Sequence, residues 1–205
     1  RLAVRGAPAI GIAASAGLYL GIKNFNVNNY TEFKIEFDKI KEYLQSTRPT
    51  AVNLFWALEE MEKVCIEFQN QSVNHIIEKL FKKAREIQDD DTIRCNLIGE
   101  NAIKLVKEGM TGITYCNAGA LATGGIGTAL SVFYKAKEKG INLKAISCET
   151  RPLLQGARLT CWELTKNGID TTLICDNTIA QVMDTRKIDF CIVGADRIAT
   201  NGDTA

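Results

Sequence analysis

Apolar residues recur at helical spacing through the first half of the chain. Phe33, Phe37, Ile40 and Leu44 form one stripe, and Leu54, Leu58, Met61, Cys65 and Phe68 a second. Val73, Ile76, Ile77, Leu80, Phe81 and Ala84 form a third; Ile93, Leu97, Ala102, Leu105 and Val106 form a fourth. Residues three and four apart share a helix face, so each stripe predicts an amphipathic helix. Thr31 and Ser72 stand where N-caps would. Ahead of these stripes, the run from Ala7 to Ile22 is apolar on all sides and diluted by glycines. It is shorter than the ~20 residues a membrane span needs, so it predicts a buried helix.

Near Gly109 the pattern changes. ITYC, LKAISC, TTLIC and DFCIVGA alternate with helical segments ending near Lys139, Asn167 and Thr185. That alternation predicts βαβ units and a parallel sheet. KGINLKAISCE and NGIDTTLICD form a faint repeat, with KIDFCIVGAD a looser third copy; Gly140 and Gly168 stand at left-handed helix ends. The expected fold is α/β: a mainly helical N-terminal region, 1–108, and the first part of a Rossmann-like parallel-sheet domain, 109–205, truncated at its C-terminus. A start at Arg1 and a stop at Ala205, just past a strand, point to a piece of a longer polypeptide.

Ligands of open parallel sheets bind beyond the carboxyl ends of the strands. That rim receives Cys116-Asn117, Glu149-Thr150-Arg151, Asp176-Asn177 and Asp196-Arg197, so Cys116 and Asp196 are expected in one site from different strands. Asp176 and Asn177 read individually as helix caps.

Composition narrows the chemistry. Lys and Arg number 25 against 24 Asp and Glu, a net charge of +1. That balance argues against nucleic acid or an anionic membrane as the main partner. Seven cysteines without a C-x-x-C pair fit a reducing compartment, hence the cytoplasm, better than a disulfide framework. The single histidine, His75, excludes a zinc site with several imidazoles and reads as structural.

The stretch CNAGALATGGIGTAL joins the first strand to its helix through four glycines, a turn able to bring backbone N–H groups against an anion. A dinucleotide fingerprint is resisted by Leu130, where Gly125 and Gly127 would require a third small residue. Each of the three prolines, Pro8, Pro49 and Pro152, follows an arginine closely: Arg5, Arg48 and Arg151. One such pair reads as a helix start beside a solvated arginine; three favour loops that aim arginines at an anionic group. GADRIATNGD closes the last strand with an acid, and a carboxyl beside an apolar sheet edge can serve as a general acid.

VRGAPAIGIAA, RPTAVNLFWAL, CNAGALATGGIGTAL, ETRPLLQGARLT and GADRIATNGD, in this order from Arg5 to Asp203, resemble the signatures of the methylthioribose-1-phosphate isomerase family. Its wider superfamily includes ribose-1,5-bisphosphate isomerase and regulatory subunits of a translation-initiation exchange factor. The resemblance implies conversion of 5-methylthioribose 1-phosphate to 5-methylthioribulose 1-phosphate in methionine salvage, with no cofactor or metal and a homodimeric assembly. By motif it makes Cys116 the catalytic thiol and Asp196 the proton donor. Arg5, Gly6, Ala7, Arg48 and Gln155 become substrate-binding residues. An Asn-Lys pair that follows GD-x-A in the family's pattern lies beyond Ala205, and the segment preceding VRGAP is also absent. A related isomerase of ribose 1,5-bisphosphate or 5-deoxyribose 1-phosphate, and a non-catalytic regulatory subunit, are the competing readings.

Overall fold

The computed structural model describes residues 3–27 and 29–204. The chain divides into two compact units, Arg1–Asp91 and Thr92–Ala205. The change from helices to alternating strands and helices falls at about residue 109, inside the second unit.

The first unit is built from α1 (Ala7–Ile22), α2 (Tyr30–Thr47), α3 (Val52–Glu67) and the leading part of α4 (Val73–Ala102). The apolar run does form one buried helix, α1, which packs against both α2 and α3. Its glycines make that approach close: Gly11 lies against the Asn53 backbone and Gly21 against the Ile40 side chain. Leu18, Ile22, Phe33, Phe37, Leu58 and Met61 are completely buried between these helices. Each such side chain contributes about 1.5–3 kcal/mol of burial.

Two helix boundaries differ from the sequence expectation. The cap of α2 is Asn29, whose side-chain oxygen accepts the Glu32 N–H at 2.9 Å, so Thr31 lies inside the helix. Asn is at least as good a cap as Thr, and the helix starts at the first that is offered. Ser72 caps α4 as expected, accepting the His75 N–H at 3.3 Å. The third stripe and the fourth as far as Ala102 lie on one helix of 30 residues, while Leu105 falls in a 3-10 turn that follows it and Val106 just past that turn. No glycine or proline separates them before Gly99, and the exposed acidic run Asp89-Asp90 does not interrupt a backbone already propagating. His75 packs edge-on against the Phe68 ring, the structural role anticipated for it.

In the second unit four parallel strands, β1 (Thr111–Thr114), β2 (Lys144–Cys148), β3 (Asp170–Ile174) and β4 (Phe190–Cys191), lie in the order β3-β2-β1-β4. Helices α5 (Ser131–Glu138) and α6 (Cys161–Lys166) cover one face through Leu130, Phe133, Ala136 and Leu164. Helix α7 (Ile179–Thr185) covers the other through Ile179 and Val182 against Ile113 and Ile146. This is the α/β architecture expected. Gly140 and Gly168 end their helices at φ 76° and 67°, a conformation that only glycine adopts without cost.

Two strands are displaced or shortened relative to the apolar runs that announced them. β1 ends at Thr114, before Cys116, because Cys116 itself takes φ 70° and leaves the ladder. β4 keeps only two residues of DFCIVGA, since its sole neighbour β1 offers partners only as far as Ile113. No helix among the described residues is long and apolar enough to cross a membrane.

Candidate active site

Strand order decides where a site can form. From β1 the chain proceeds to β2 and β3 on one side, then returns to place β4 on the other. The order therefore reverses between β1 and β4, and a crevice opens at the carboxyl ends of strands that diverge in this way. Cys116 leaves β1 on one side of that point, and Asp196 follows β4 on the other. Beyond Cys191 the chain runs on past the Cys116 loop: a Cβ at Gly194 would lie 3.4 Å from the Ala118 methyl.

Cys116 is held from several directions. Its N–H donates to Thr150 Oγ1 at 2.8 Å and its carbonyl accepts from Thr160 Oγ1 at 2.5 Å. Gln155 Nε2 donates to its sulfur at 3.3 Å. Gln155 Oε1 is buried without a partner among the described residues. A left-handed φ costs a non-glycine residue about 1–3 kcal/mol, so these bonds oppose a real tendency of the backbone to relax.

The loop after β2 supplies Thr150 and Gln155, and its backbone is also unusual. Thr150 and Leu154 take φ 63° and 56°, and the Arg151–Pro152 bond is cis. Thr150 is 2% exposed. Asp176, read from sequence as a cap, instead reaches across from the end of β3. Its two oxygens accept the Thr150 and Arg151 N–H groups, each at 2.8 Å. Gly156 is required beneath this loop, because a Cβ there would strike the Cys148 carbonyl.

Several amides of the glycine-rich turn are taken up within the turn itself. Gly125 and Gly127 N–H donate to Thr123 Oγ1 at 3.3 and 3.1 Å. Thr128 and Leu130 N–H donate to the Ala118 carbonyl. Those four amides are engaged in the turn's own closure.

Beneath the same turn lies Glu163 of α6, 2% exposed, which sequence reasoning overlooked because a lone glutamate in a helical segment carries no signal. Its Oε1 accepts from Asn117 Nδ2 at 2.6 Å, and its Oε2 from the Ala120 N–H at 2.8 Å and the Tyr134 hydroxyl at 3.0 Å. Burial pushes this carboxyl up from the ordinary glutamate range, against the pull of bonds from Asn117, Tyr134 and the Ala120 and Leu121 amides. Burial and then the adjacent carboxylate push the Tyr134 phenol up. Gly119 is obligatory, since a Cβ would collide with the Glu163 carboxylate.

The remaining predicted residues are placed as follows. Asp196 is exposed, so no apolar sheet edge encloses it in the described residues. Arg5, Gly6, Ala7 and Arg48 belong to the first unit. Gly6, at φ 83°, immediately precedes α1, with Ala7 its first residue and Pro8 its second; Arg5 stands just outside this start. Arg48 ends α2 and lines a cavity of about 400 Å³ with Val4, Ile10, Leu44 and Leu54. Among the described residues neither arginine side chain makes a hydrogen bond or ion pair. Arg151, the third arginine beside a proline, is exposed and paired with Glu149 at 3.1 Å. No cluster of three metal-ligating side chains occurs among the described residues.

Residues 3–205 match the model of the initiation factor 2 subunit family. The chain belongs to this family. Among its relatives, the methylthioribose-1-phosphate isomerase of Symbiobacterium thermophilum is 51% identical over 204 residues, which is all of this chain and 57% of that protein. The 5-deoxyribose 1-phosphate isomerase of Petrotoga mobilis is 49% identical over 205 residues, all of this chain and 59% of the relative. The crystal structure of 5-methylthioribose 1-phosphate isomerase from Pyrococcus horikoshii OT3 superposes with a TM-score of 0.89 at 44% identity, covering 98% of this chain and 56% of that one. This family member therefore spans a little under three fifths of the length of these relatives.

Proposed function

We propose that the protein is a cytoplasmic, homodimeric isomerase of a 1-phosphorylated ribose, converting 5-methylthioribose 1-phosphate to 5-methylthioribulose 1-phosphate in methionine salvage. The observation that carries this reading is Cys116, held at a left-handed φ just past β1, where strand order reverses; Asp196, which follows the neighbouring strand β4, is its proposed partner. Relatives at about half identity bear the names of such isomerases.

In this reading the Asp196 carboxyl protonates the ring oxygen, breaking its bond to C1, because the anomeric phosphate prevents ordinary ring opening. Hydrogen then moves from C2 to C1 while the C2 hydroxyl returns its proton to the Asp196 carboxylate, leaving a carbonyl at C2. Substrate and product are isomers, so the reaction balances without an oxidant. Two routes fit: Cys116 carries the hydrogen as a proton, or it shifts directly as hydride within a site that Cys116 shapes. Gln155, whose amide orients the sulfur and retains an unused acceptor, contacts a substrate hydroxyl. Arg5, Gly6, Ala7 and Arg48 bind substrate, with the two arginines serving the phosphate.

The test is turnover of the full-length protein on 5-methylthioribose 1-phosphate, 5-deoxyribose 1-phosphate and ribose 1,5-bisphosphate. Cys116→Ser and Asp196→Asn should each remove most of kcat, and near-normal turnover in either variant refutes its role. Solvent deuterium at C1 of the product supports the proton route. The Petrotoga mobilis relative favours 5-deoxyribose 1-phosphate as the second candidate substrate. Absence of turnover on all three would favour a regulatory subunit instead.

A further inference from the structure

We infer that Glu163 is a positioning residue for Cys116: its buried carboxylate clamps the Cys116–Leu121 turn from below and holds the thiol in its strained backbone conformation. The inference rests on Cys116 being the reactive group proposed above, although the clamp itself is a property of the fold.

Burying a lone carboxylate costs several kcal/mol unless it is well satisfied, and a packed apolar side chain usually serves stability as well or better. Glu163 is the one charged residue among those buried within the described chain, and it has no cationic partner there. Its donors have a single pattern. Asn117 Nδ2 and the Ala120 N–H belong to the turn that follows Cys116, and the Tyr134 hydroxyl comes from α5 to close the cluster. Asn117 Nδ2 also donates to Thr160 Oγ1 at 3.3 Å, and that hydroxyl grips the Cys116 carbonyl. Thr160 and Glu163, one helical turn apart, thus hold the peptide on the carboxyl side of Cys116 while Thr150 holds its amino side. Asn117 Nδ2 faces one carboxylate oxygen and the Ala120 N–H the other, and both groups can only donate, so an amide at residue 163 would set its NH2 against a donor in either orientation. Gly119 leaves room for the carboxylate at the centre of the turn.

The experiment uses the full-length protein with Glu163→Gln, Tyr134→Phe, and Glu163→Gln combined with Asn117→Asp. The last pair reverses the polarity of the bond between residues 117 and 163 and leaves the amide oxygen for Ala120 and Tyr134; it gives up the 3.3 Å bond from Asn117 Nδ2 to Thr160 Oγ1, so the restoration it brings is partial. Two readouts are taken: kcat and KM on 5-methylthioribose 1-phosphate, and the iodoacetamide alkylation rate of Cys116 followed by peptide mass spectrometry. A displaced reactive group costs about 10- to 100-fold in rate, so Glu163→Gln should lower kcat by that factor with KM nearly unchanged. Cys116 should alkylate faster, Tyr134→Phe should do the same to a smaller extent, and the double substitution should restore both values toward those of the parent. The inference is overturned if Cys116 alkylation and kcat are unchanged by Glu163→Gln. It is equally overturned if the losses track a collapse in melting temperature and the double substitution restores neither. Should Glu163→Gln not fold, an unchanged alkylation rate in Tyr134→Phe overturns it. A parent protein without turnover refutes the functional reading alone, because the alkylation rates still report the clamp.

Discussion

Thr150→Val replaces one buried hydroxyl by a methyl group of nearly the same shape and leaves every other atom of the Cys116 cradle in place. Thr150 Oγ1 makes two hydrogen bonds, accepting the Cys116 N–H at 2.8 Å and donating to the Cys148 carbonyl at 3.3 Å. The Cys148 carbonyl keeps a second donor, Ser147 Oγ, at 3.3 Å. The loss therefore falls on the Cys116 N–H, and an orphaned buried donor costs about 1–3 kcal/mol. The new methyl returns up to about 0.8 kcal/mol of burial. From the middle of that cost range, about 2 kcal/mol, the expected net destabilisation is about 1–2 kcal/mol, or a melting-temperature fall of about 2–8 °C for a protein of this size class. Urea unfolding of the full-length protein reads it directly, with alkylation of Cys116 as a local reporter. Thr150→Ser is the control: it keeps the oxygen and removes a β-branch from a residue at φ 63°, where branching is least tolerated. It should stay closer to the parent than the valine variant. A Thr150→Val protein within about 0.5 kcal/mol of the parent, the range of an ordinary surface change, would refute the cradle.

Three further outcomes are expected. Cys116→Gly should abolish turnover without lowering the melting temperature, since glycine relieves about 1–2 kcal/mol of left-handed strain; a clear drop would mean that the sulfur itself holds the loop. Gly119→Ala drives a methyl group into the Glu163 carboxylate and should cost about 1–3 kcal/mol in chemical unfolding, as overpacking does, with accelerated alkylation of Cys116. In the first unit, burial and the adjacent Cys65 thiol push the Tyr30 phenol up to about 12 from its ordinary 10.0. A raised folded-state value favours the protonated fold, so this stability is complete below pH 10 and lost as the pH rises through 12. Tyr30→Phe should flatten the stability profile over that window, and a profile unaltered by the substitution would count against the shift.

What the sequence by itself determined is the part of the structure written in local periodicity and in contiguous motifs. A stripe such as Phe33, Phe37, Ile40 and Leu44 has one low-energy solution, a helix with that face inward, and α2 follows. The apolar runs LKAISC and TTLIC become β2 and β3 within a residue of their edges, and Gly140 and Gly168 end their helices because left-handed φ is a property of single residues. Cys116 and Asp196 could be assigned to one rim because the parallel sheet aligns all strand ends. The tertiary structure decided what depends on contacts between distant segments. It set the strand order that puts β4 beside β1, and so puts the reversal between the two residues. It also made Asp176 a brace for the Thr150 loop where a helix cap was expected. The glycine turn was closed on itself through the Thr123 hydroxyl, whose reach no spacing rule encodes. Glu163 lies 47 positions beyond Cys116 in the chain and nothing in its neighbours marks it. Only the packing of α6 under the turn brings its carboxylate to the amides it serves, because a hydrogen bond is specified by proximity in space and leaves no periodic trace along the chain.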